Sequence, residues 1–450
     1  MRLPSLGACL RISVLSVAAL SAAGSMASGV GAQERDAWPM AGRDAAHSGT
    51  AETGPAPPYR VAWERETGAG GPAAGVAVTR DVVVAVGRES VMALDPTDGE
   101  ALWERGRSPG SAGVPAISGD LVLHAAGEGV SAQVVARDLD TGDLAWQATL
   151  GSTPAGGPTP AGEYAIVGTG GGEVVALDVL TGEVVWRFET TGGVTGPPAA
   201  AGQTVVASAY QAGSGISTVY GLDLSSGGDD EPLWQLSAGA VGPASSPAIR
   251  GRRAFVGISD LNFRAIGLAE GSEIWTSRSR DGFGPRQLPA AGEALVVADR
   301  SHVYRLDPQT GEELWTFRAA DLMTIGEGRL NTLLASAPTI SGRTVLIGSA
   351  DGTLSAIDLD AGRRVWRLDL GTGSVGPVAA AGGRIFAVTL GEGGKVVALE
   401  HDPGGRLGGE VSPTVLFVGE ALLAFAAAAV AIAVALLLIF RFALRPREAA

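Results

Sequence analysis

The sequence predicts an all-β protein, an eight-bladed β-propeller of four-stranded blades, followed by one C-terminal transmembrane helix. Three observations predict this architecture. Tryptophans recur at intervals of about 40 to 50 residues, the length of one four-stranded blade. Short apolar runs between them alternate with Gly, Pro and Asp, which favour turns. Near the C-terminus, residues 421–440 form an uncharged apolar run long enough to cross a membrane.

The first segment, residues 1–32, has the pattern of a signal peptide. Arg2 and Arg11 give it a positive start, and a run of small and apolar residues follows. Val30, Gly31 and Ala32 supply the small residues expected before a cleavage site. A membrane anchor is the alternative, although Ser and Gly interrupt the apolar run. We therefore expect the chain that follows to be exported.

The last segments predict a single-pass membrane protein. Residues 421–440 match a hydrocarbon thickness of ~30 Å, and Arg441, Arg445 and Arg447 follow at once. The positive-inside rule places this tail, residues 441–450, in the cytoplasm. A linker, residues 405–420, connects the helix to the propeller. The expected location is the cell membrane, with the propeller outside and the C-terminus cytoplasmic.

Composition excludes several classes of protein and partner. The net charge is −14, and residues 1–32 and 441–450 carry +2 each, which leaves −18 for residues 33–420. Nucleic acid and anionic lipid would repel so acidic a domain. Hydrophobic residues make up 46% of the chain, which excludes a disordered acidic protein. The single cysteine, Cys9, lies in the predicted signal, so no disulfide scaffold or cysteine zinc site is expected.

Each repeat contains one phrase that predicts a β-hairpin ending in tryptophan. In the copy from Ala136 to Trp146, Asp138 and Gly142 border a short turn between two strands. The Asp carboxylate can accept hydrogen bonds from the turn, and Gly can adopt a positive φ. One copy has Gly267 in place of this Asp. We expect each tryptophan to pack against the next blade, and the predicted docking residues are Trp63, Trp103, Trp146, Trp186, Trp234, Trp275, Trp315 and Trp366.

The two incomplete repeats predict how the ring closes. Trp63 has no Asp-containing turn before it, whereas the last repeat, which includes Leu399 and Glu400, has no Trp after it. The N-terminal strand at 59–66 is therefore expected to complete the blade formed by the C-terminal strands. This closure removes open sheet edges. It assigns residues 59–404 to the propeller and residues 33–58 to an N-terminal arm.

The phrase Ala-x-Asp-x-x-Thr-Gly-x-x-x-Trp resembles the tryptophan-docking repeat of the pyrroloquinoline quinone (PQQ) β-propellers. The run from Trp38 to Gly49 is similar to the segment that precedes the first blade in that family. The resemblance covers roughly residues 38–404 and implies a propeller. The family includes quinoprotein dehydrogenases, which bind PQQ and calcium. It also includes non-catalytic propellers, such as the lipoprotein subunit of the outer-membrane β-barrel assembly machine.

The favoured interpretation of function is a membrane-anchored, extracytoplasmic scaffold that binds a protein or a ligand without catalysis. It predicts no catalytic residue, no resident metal and no cofactor. The alternative is a membrane-anchored quinoprotein dehydrogenase with PQQ and calcium. Against it, the vicinal disulfide usual in the resembling alcohol dehydrogenases is missing, and the chain has no haem-attachment motif. A polysaccharide or small-ligand sensor is a third possibility.

The candidate functional residues lie in the longest connection between repeats. The stretch from Trp315 to Pro338 is longer than its counterparts, and loops on propeller faces commonly carry function. The candidate binding loop within it contains Met323, Glu327, Arg329 and Asn331. Phe283 and Arg286 form a weaker candidate. The alternative is an insertion without a function.

The four histidines lack the spacing of metal ligands. They are His47, His124, His302 and His401, and no pair shows a pattern such as His-x-x-x-His. We therefore expect them to be structural or surface residues.

Overall fold

The computed structural model describes residues 36–405 except 68–74, 88, 111–112, 229–230, 241, 282–286, 319–333, 372 and 392. These residues form eight separate sheets, each with at least four strands, so the predicted eight-bladed all-β propeller is confirmed. Within the described part of the chain, no helix is long and apolar enough to span a membrane. The predicted transmembrane helix at 421–440 lies outside the described residues, as do the predicted signal and cytoplasmic tail.

Two strands precede the first complete blade, and blades 1 to 4 follow in chain order. The two early strands are β1 (Thr50–Ala51) and β2 (Tyr59–Glu66). Blade 1 contains β3 (Val76–Val78), β4 (Val83–Val86), β5 (Ser90–Leu94) and β6 (Ala101–Gly106). Blade 2 contains β7 (Ala116–Ser118), β8 (Leu121–Ala126), β9 (Gln133–Asp138) and β10 (Leu144–Thr149), with a 3₁₀ turn at Gly129–Ser131. Blade 3 contains β11 (Thr159–Ala161), β12 (Tyr164–Gly168), β13 (Glu173–Asp178) and β14 (Val184–Glu189). Blade 4 contains β15 (Gly193–Val194), β16 (Ala199–Ala201), β17 (Thr204–Gln211), β18 (Ile216–Asp223) and β19 (Trp234–Gly239).

Blades 5 to 8 complete the ring. Blade 5 contains β20 (Ala248–Arg250), β21 (Arg253–Ile258), β22 (Asn262–Gly267) and β23 (Glu273–Arg278). Blade 6 contains β24 (Ala290–Ala291), β25 (Leu295–Ala298), β26 (His302–Leu306) and β27 (Glu313–Arg318). Blade 7 contains β28 (Thr339–Ser341), β29 (Thr344–Gly348), β30 (Thr353–Asp358) and β31 (Arg364–Asp369). Blade 8 contains β32 (Ser374–Ala381), β33 (Arg384–Leu390) and β34 (Lys395–His401).

The inner strand of each blade faces the ring axis; it is the first strand of every blade except blade 4, where it is β16. Inner strands of neighbouring blades contact each other, as β3 contacts β7 and β7 contacts β11. The inner strands of blades 8 and 1 are also in contact, so the ring is closed. Successive strands of a blade pair antiparallel and progress outward, as in the order β7, β8, β9, β10. This up-and-down order gives the ring two different faces.

We call these the turn face and the connection face. The turn face carries the short turns between the first and second strands and between the third and fourth, such as residues 138–143 in blade 2. The connection face carries the turn between the second and third strands and the connection to the next blade, such as residues 150–158. The connections are the more variable in length, because they span from the outer strand of one blade to the axis at the next.

Tryptophan side chains join adjacent blades on the turn face. Seven of them donate an Nε1–H hydrogen bond of 2.7 to 3.2 Å to a carbonyl in the next blade's turn, as Trp146 does to Val179. The ring then lies on the glycine of that turn, where a Cβ on Gly182 would lie 2.4 Å from Trp146. Gly182 also has a φ of +74°, which a side chain would strain. The last of the eight, Trp366, packs edge-to-face on Tyr59 with ring centroids 5.0 Å apart.

The buried core lies between the blades. The apolar cluster between blades 2 and 3 combines Leu123 and Val134 of one blade with Ala165 and Val175 of the next. Strands two and three of each blade are buried on both faces, which explains their nearly continuous Val, Ala, Leu and Ile runs. The apolar side chains of each blade are therefore buried against both neighbouring blades. Loss of one blade would expose the apolar clusters on both sides of the gap.

The N-terminal strand closes the ring as the outer strand of blade 8. β2 pairs antiparallel with β34, from Tyr59 opposite His401 to Glu66 opposite Lys395. Trp63 then docks on the turn of blade 1 through Pro96. The closure predicted from the two incomplete repeats is therefore confirmed. Both chain ends of the propeller meet in one blade.

Candidate functional site

The N-terminal arm lies across the ring axis on the turn-face side. The inner strand of blade 7, β28, pairs in parallel with β1 of the arm. The other inner strands have one edge with no neighbour in their own sheet, so their backbone groups need other partners. Carbonyls of the arm accept hydrogen bonds of 2.6 to 2.9 Å from the inner strands of blades 2, 4, 5, 6 and 7; the donors are Ile117, Ala200, Ile249, Ala291 and Ile340. The arm thus replaces a missing strand neighbour around most of the ring.

The arm also contacts the three remaining blades. Trp38 exchanges two backbone hydrogen bonds with Val78 of blade 1. The Asp36 carboxylate accepts a 3.0 Å hydrogen bond from the amide of Gly382, beside the inner strand of blade 8. In blade 3 the contact is made by His47, whose Nε2 lies 3.4 Å from Thr159 Oγ1. Residues 36–49 therefore hold all eight inner strands at one end of the channel.

His47 is a structural residue at the centre of this arrangement. Its side chain is fully buried, and its Nδ1 lies 3.0 Å from the Pro247 carbonyl. Burial lowers the pKa of the His47 imidazole, so the ring stays neutral at ordinary pH. The sequence predicted a structural or surface role for this residue. Nothing in the sequence indicated that it would bridge blades 3 and 5.

A cavity of about 280 Å³ occupies the axis above this arm, toward the connection face. Its floor includes Trp38, Gly42 and Gly49 of the arm. Every blade contributes to its wall near the start of its inner strand; the wall includes Val76, Val114, Gly157, Pro197, Ser246, Leu288, Pro338 and Val378. Gly or Pro residues from six of the eight blades are part of this described wall.

The described lining of this axial cavity is electrically neutral. It contains no Asp, Glu, Lys, Arg or His, and its polar side chains are Ser246, Gln287, Ser336 and Thr339. Three of these are already engaged: Thr339 donates to the Val378 carbonyl, Ser336 accepts from the Gly348 amide, and Gln287 donates to the Leu334 carbonyl at 3.4 Å. The wall is also close-packed backbone, and a Cβ on Gly157 would lie 1.9 Å from the Val114 carbonyl oxygen. The cavity suits a small neutral or apolar group.

A buried carboxylate organises the connection face between blades 5 and 6. Asp299 has no exposed surface, and its Oδ1 accepts the amides of Ser301 and His302 at 2.8 and 2.6 Å. Its Oδ2 accepts the hydroxyls of Ser279 and Tyr304. Desolvation alone would raise the pKa of Asp299, but these hydrogen bonds outweigh it and hold the pKa below its ordinary value.

This carboxylate anchors a connection that leads to the axis. Asp299 accepts the amide of Asp281, and Asp281 in turn accepts the amide of Arg300 at 2.8 Å. The same connection ends in Gln287 and Leu288, which line the axial cavity. Sequence reasoning did not single out Asp299, because its role depends on Ser279, twenty positions earlier, directly after the outer strand of the neighbouring blade. An Asp directly after an apolar strand was the only local signal.

The other histidines do not form a metal site. His124 is fully buried, and burial lowers its pKa to about 4. His302 is part of the Asp299 cluster, and exposed His401 contacts the Ala56 carbonyl at 2.7 Å. No group of three His, Cys, Asp or Glu side chains within the described residues is arranged to hold a metal ion.

The candidate binding loop lies outside the described residues. Met323, Glu327, Arg329 and Asn331 all belong to the segment 319–333, and Phe283 and Arg286 belong to 282–286. The described flanks of the longer segment are Arg318 at the end of β27 and Leu334, which bridges Ser349. Both flanks lie on the connection face, the face to which the axial cavity opens.

Comparison with known proteins identifies the family of this propeller. The family model described as outer membrane protein assembly factor BamB matches residues 60–147, 130–288 and 299–407. The chain belongs to this PQQ-type β-propeller family. The matched residues extend from the closing strand β2 to the end of blade 8, so the family assignment covers the whole ring.

Individual relatives of this BamB-family propeller include, by name, a BamB protein and alcohol dehydrogenases. The solved BamB of Moraxella catarrhalis is 19% identical with a TM-score of 0.61, covering 78% of this chain and 100% of that one. Quinohemoprotein alcohol dehydrogenase from Comamonas testosteroni is 14% identical with a TM-score of 0.62, covering 86% of each chain. The 1-butanol dehydrogenase (cytochrome c) of Thauera butanivorans is 29% identical over 109 residues, which is 24% of this chain and 15% of that enzyme. The structural matches show the shared fold.

The described lining of the axial cavity in this BamB-family chain does not fit PQQ with calcium. PQQ carries three carboxylates, and calcium takes six to eight oxygen ligands with carboxylates prominent among them. Burying such anions without a cationic partner is costly. The described wall offers neither the cations for the first nor the carboxylates for the second. We therefore derive no step of catalysis through this cofactor.

Proposed function

We propose that this protein is a membrane-anchored, extracytoplasmic propeller that acts as a non-enzymatic binding scaffold. The observation that carries the proposal is the neutral lining of the axial cavity, closed on one side by the N-terminal arm. An arm that contacts all eight inner strands stiffens the ring, and a rigid ring is suited to present loops to a partner. Membership of the BamB family supports a role in protein binding.

The connection face is the proposed binding surface. It carries the connections that differ in length between blades, including the long segment from Arg318 to Leu334. The turn face, by contrast, repeats one short turn and is occupied at its centre by the arm. Asp299 holds one connection in place beside the axis. This part of the connection face therefore has a defined conformation. The partner is expected to be a protein at the same membrane.

The alternative function is a membrane-anchored quinoprotein dehydrogenase that uses PQQ and calcium. One observation favours it, the 29% identity to 1-butanol dehydrogenase over 109 residues. The matched stretch is about the length of two to three blades and covers 15% of that enzyme. We therefore keep it as the second proposal.

Deleting residues 319–333 tests the scaffold proposal. We expect the variant to keep the wild-type melting temperature, because both flanking strands remain paired within their own blades. Recovery of cross-linked membrane partners with the full-length chain is expected to fall about tenfold, as a binding loop supplies most of the contact energy. The control removes residues 229–231, three extra positions in the connection between β18 and β19, which belongs to the turn face. Equal partner recovery from the two deletions, with both folded, would rule out this loop as the binding site.

A further inference from the structure

Six turns on the turn face share one hydrogen-bonding pattern around a carboxylate. The Asp that opens each turn accepts the amide two positions later at 2.7 to 3.1 Å. In five of them the same oxygen also accepts the amide three positions later, at 2.7 to 3.1 Å. The backbone amides of this turn therefore form a small site for a carboxylate oxygen.

The electrostatics of these turns favour the anion. The amide of Thr141 lowers the pKa of Asp138, and the amide of Thr181 likewise lowers the pKa of Asp178. A donor pair that stabilises the ionised form of its own aspartate is expected to attract a carboxylate from another molecule when that aspartate is absent.

Blade 5 has this turn without its carboxylate. Gly267 stands where the other turns have Asp, yet the backbone bonds from Gly267 to Ser272 and from Gly271 to Gly267 are both kept at 2.8 Å. The equivalent bonds of blade 2, at Asp138 and Gly142, measure 2.8 and 2.9 Å, so the two turns have the same conformation. Among the described residues, the amides of Ala269 and Glu270 have no hydrogen-bond acceptor.

A cavity of about 520 Å³ opens directly at this turn, between blades 5 and 6. Ala269 and Glu270 line it together with Arg250, Arg252 and Arg253. The lining thus contains three arginines and one acidic residue, Glu270. In a domain that carries −18 over residues 33–420, such a local excess of positive charge is unusual.

The arginines leave charge available for a ligand. Arg250 donates to the Glu293 carbonyl at 2.7 Å and Arg253 to the Pro308 carbonyl at 3.0 Å, and neither forms an ion pair with a described residue. The charge of Arg253 also contributes to lowering the pKa of nearby Asp307, so Arg253 is only partly available to a ligand. Arg253 also donates to the Gln309 side-chain oxygen. Arg252 is exposed and makes no ion pair with a described residue. Ile274, 42% exposed, supplies an apolar wall beside them.

We propose that this blade 5 cavity binds a carboxylate, with its oxygen on the amides of Ala269 and Glu270 and its charge balanced by Arg252 and Arg253. The apolar wall and the position on an exposed rim favour an acidic side chain of a partner protein as the source. The proposed site specifies which chemical group of a partner the scaffold would bind. It rests on the scaffold function for its biological role, whereas carboxylate binding itself does not depend on that function. The site lies on the turn face, apart from the proposed loop.

Calorimetric titration of the full-length chain with acetyl-Leu-Asp-Leu-amide at pH 7 tests the proposal. We expect saturable binding of this peptide and none of its Asn counterpart, which has the same shape without the charge. Gly267→Asp restores the aspartate of the other turns and is expected to weaken peptide binding about tenfold or more. It should not unfold the chain, because Gly267 has no positive φ and its Cβ would meet Ser272, at 3.2 Å from the Oγ and 3.6 Å from the carbonyl oxygen.

Gly267→Ala is the matched control, because it adds the same Cβ without a carboxylate and should keep wild-type affinity. Titration with acetate separates a small carboxylate from a partner side chain: binding as tight as that of the peptide would overturn the partner assignment. Equal binding of the Asp and Asn peptides, no effect of Gly267→Asp, or no saturable binding up to about 10 mM would each overturn the site. None of these results depends on PQQ or on the 319–333 loop. The carboxylate-site proposal and the scaffold proposal can therefore be disproved independently.

Discussion

Deletion of residues 33–70 is expected to abolish the single cooperative unfolding transition of the propeller. The deletion removes β2, the outer strand of blade 8, and the arm that holds all eight inner strands. Trp38, Tyr59 and Trp63 are buried, and losing each costs about 3–5 kcal/mol. Together these losses match the whole stability of a typical domain, about 5–15 kcal/mol. Circular dichroism melting of the full-length and deleted chains measures the effect.

A rescue variant distinguishes the contribution of strand β2 to stability from that of the N-terminal arm. The amide of Asp402 donates to the Pro58 carbonyl at 2.8 Å, so the two chain ends lie next to each other. Moving Tyr59–Glu66 to follow Asp402 through a turn copied from residues 178–182 restores the blade in one continuous chain. We expect a cooperative transition to return at a lower midpoint, because the arm is still missing. A wild-type transition in the deletion variant itself would contradict the closure.

Asp299→Asn is expected to lower the free energy of unfolding by about 3 kcal/mol. The buried Oδ2 of Asp299 accepts the hydroxyls of Ser279 and Tyr304, and its Oδ1 accepts two amides. An asparagine side chain would direct an NH₂ group at these donors and leave buried groups unpaired. The matched control is Asp351→Asn in the corresponding turn of blade 7, where the exposed carboxylate accepts only the Thr353 amide. The control should cost under about 1 kcal/mol.

The pH dependence of this difference supplies a second test. Folding lowers the pKa of Asp299 below its ordinary value of 3.8, so the folded state favours the carboxylate. The stabilisation is therefore fully present above that value and is lost as the pH falls through the lower, folded-state pKa. Denaturant titrations of wild type and Asp299→Asn should differ by a constant amount near neutrality and converge in acid. A gap that stays constant into strong acid would contradict the role given to the ionised carboxylate.

The repeat made most of the ring predictable from sequence. Asp138 accepts hydrogen bonds within its turn, Gly142 adopts a positive φ, and Trp146 supplies a large flat surface for packing. These three roles recur from blade to blade. The incomplete repeats at Trp63 and Glu400 likewise indicated the closing strand. These signals are readable because each depends on residues close in sequence or on a regular period.

The site was less predictable, because its parts are distant in sequence. His47 contacts Pro247, 200 positions away, and the arm's bonds to the inner strands use backbone groups that carry no sequence signal. The described neutral wall of the axial cavity includes Gly or Pro residues from six blades, and only the ring brings them together. Gly267 was visible as a departure from the repeat, but its consequence required the three arginines of a neighbouring turn.

Titration of the full-length chain with PQQ and Ca²⁺ tests the central claim, that the axial cavity holds no redox cofactor. Trp38 forms part of the cavity floor, so a bound quinone would quench its fluorescence. Trp38→Phe is the control that assigns any quenching to the axis. The account predicts no saturable quenching up to about 100 μM PQQ, no rise in melting temperature and no dye reduction with alcohols. Saturable quenching that disappears in Trp38→Phe, accompanied by alcohol-dependent dye reduction, would contradict it and identify a quinoprotein dehydrogenase.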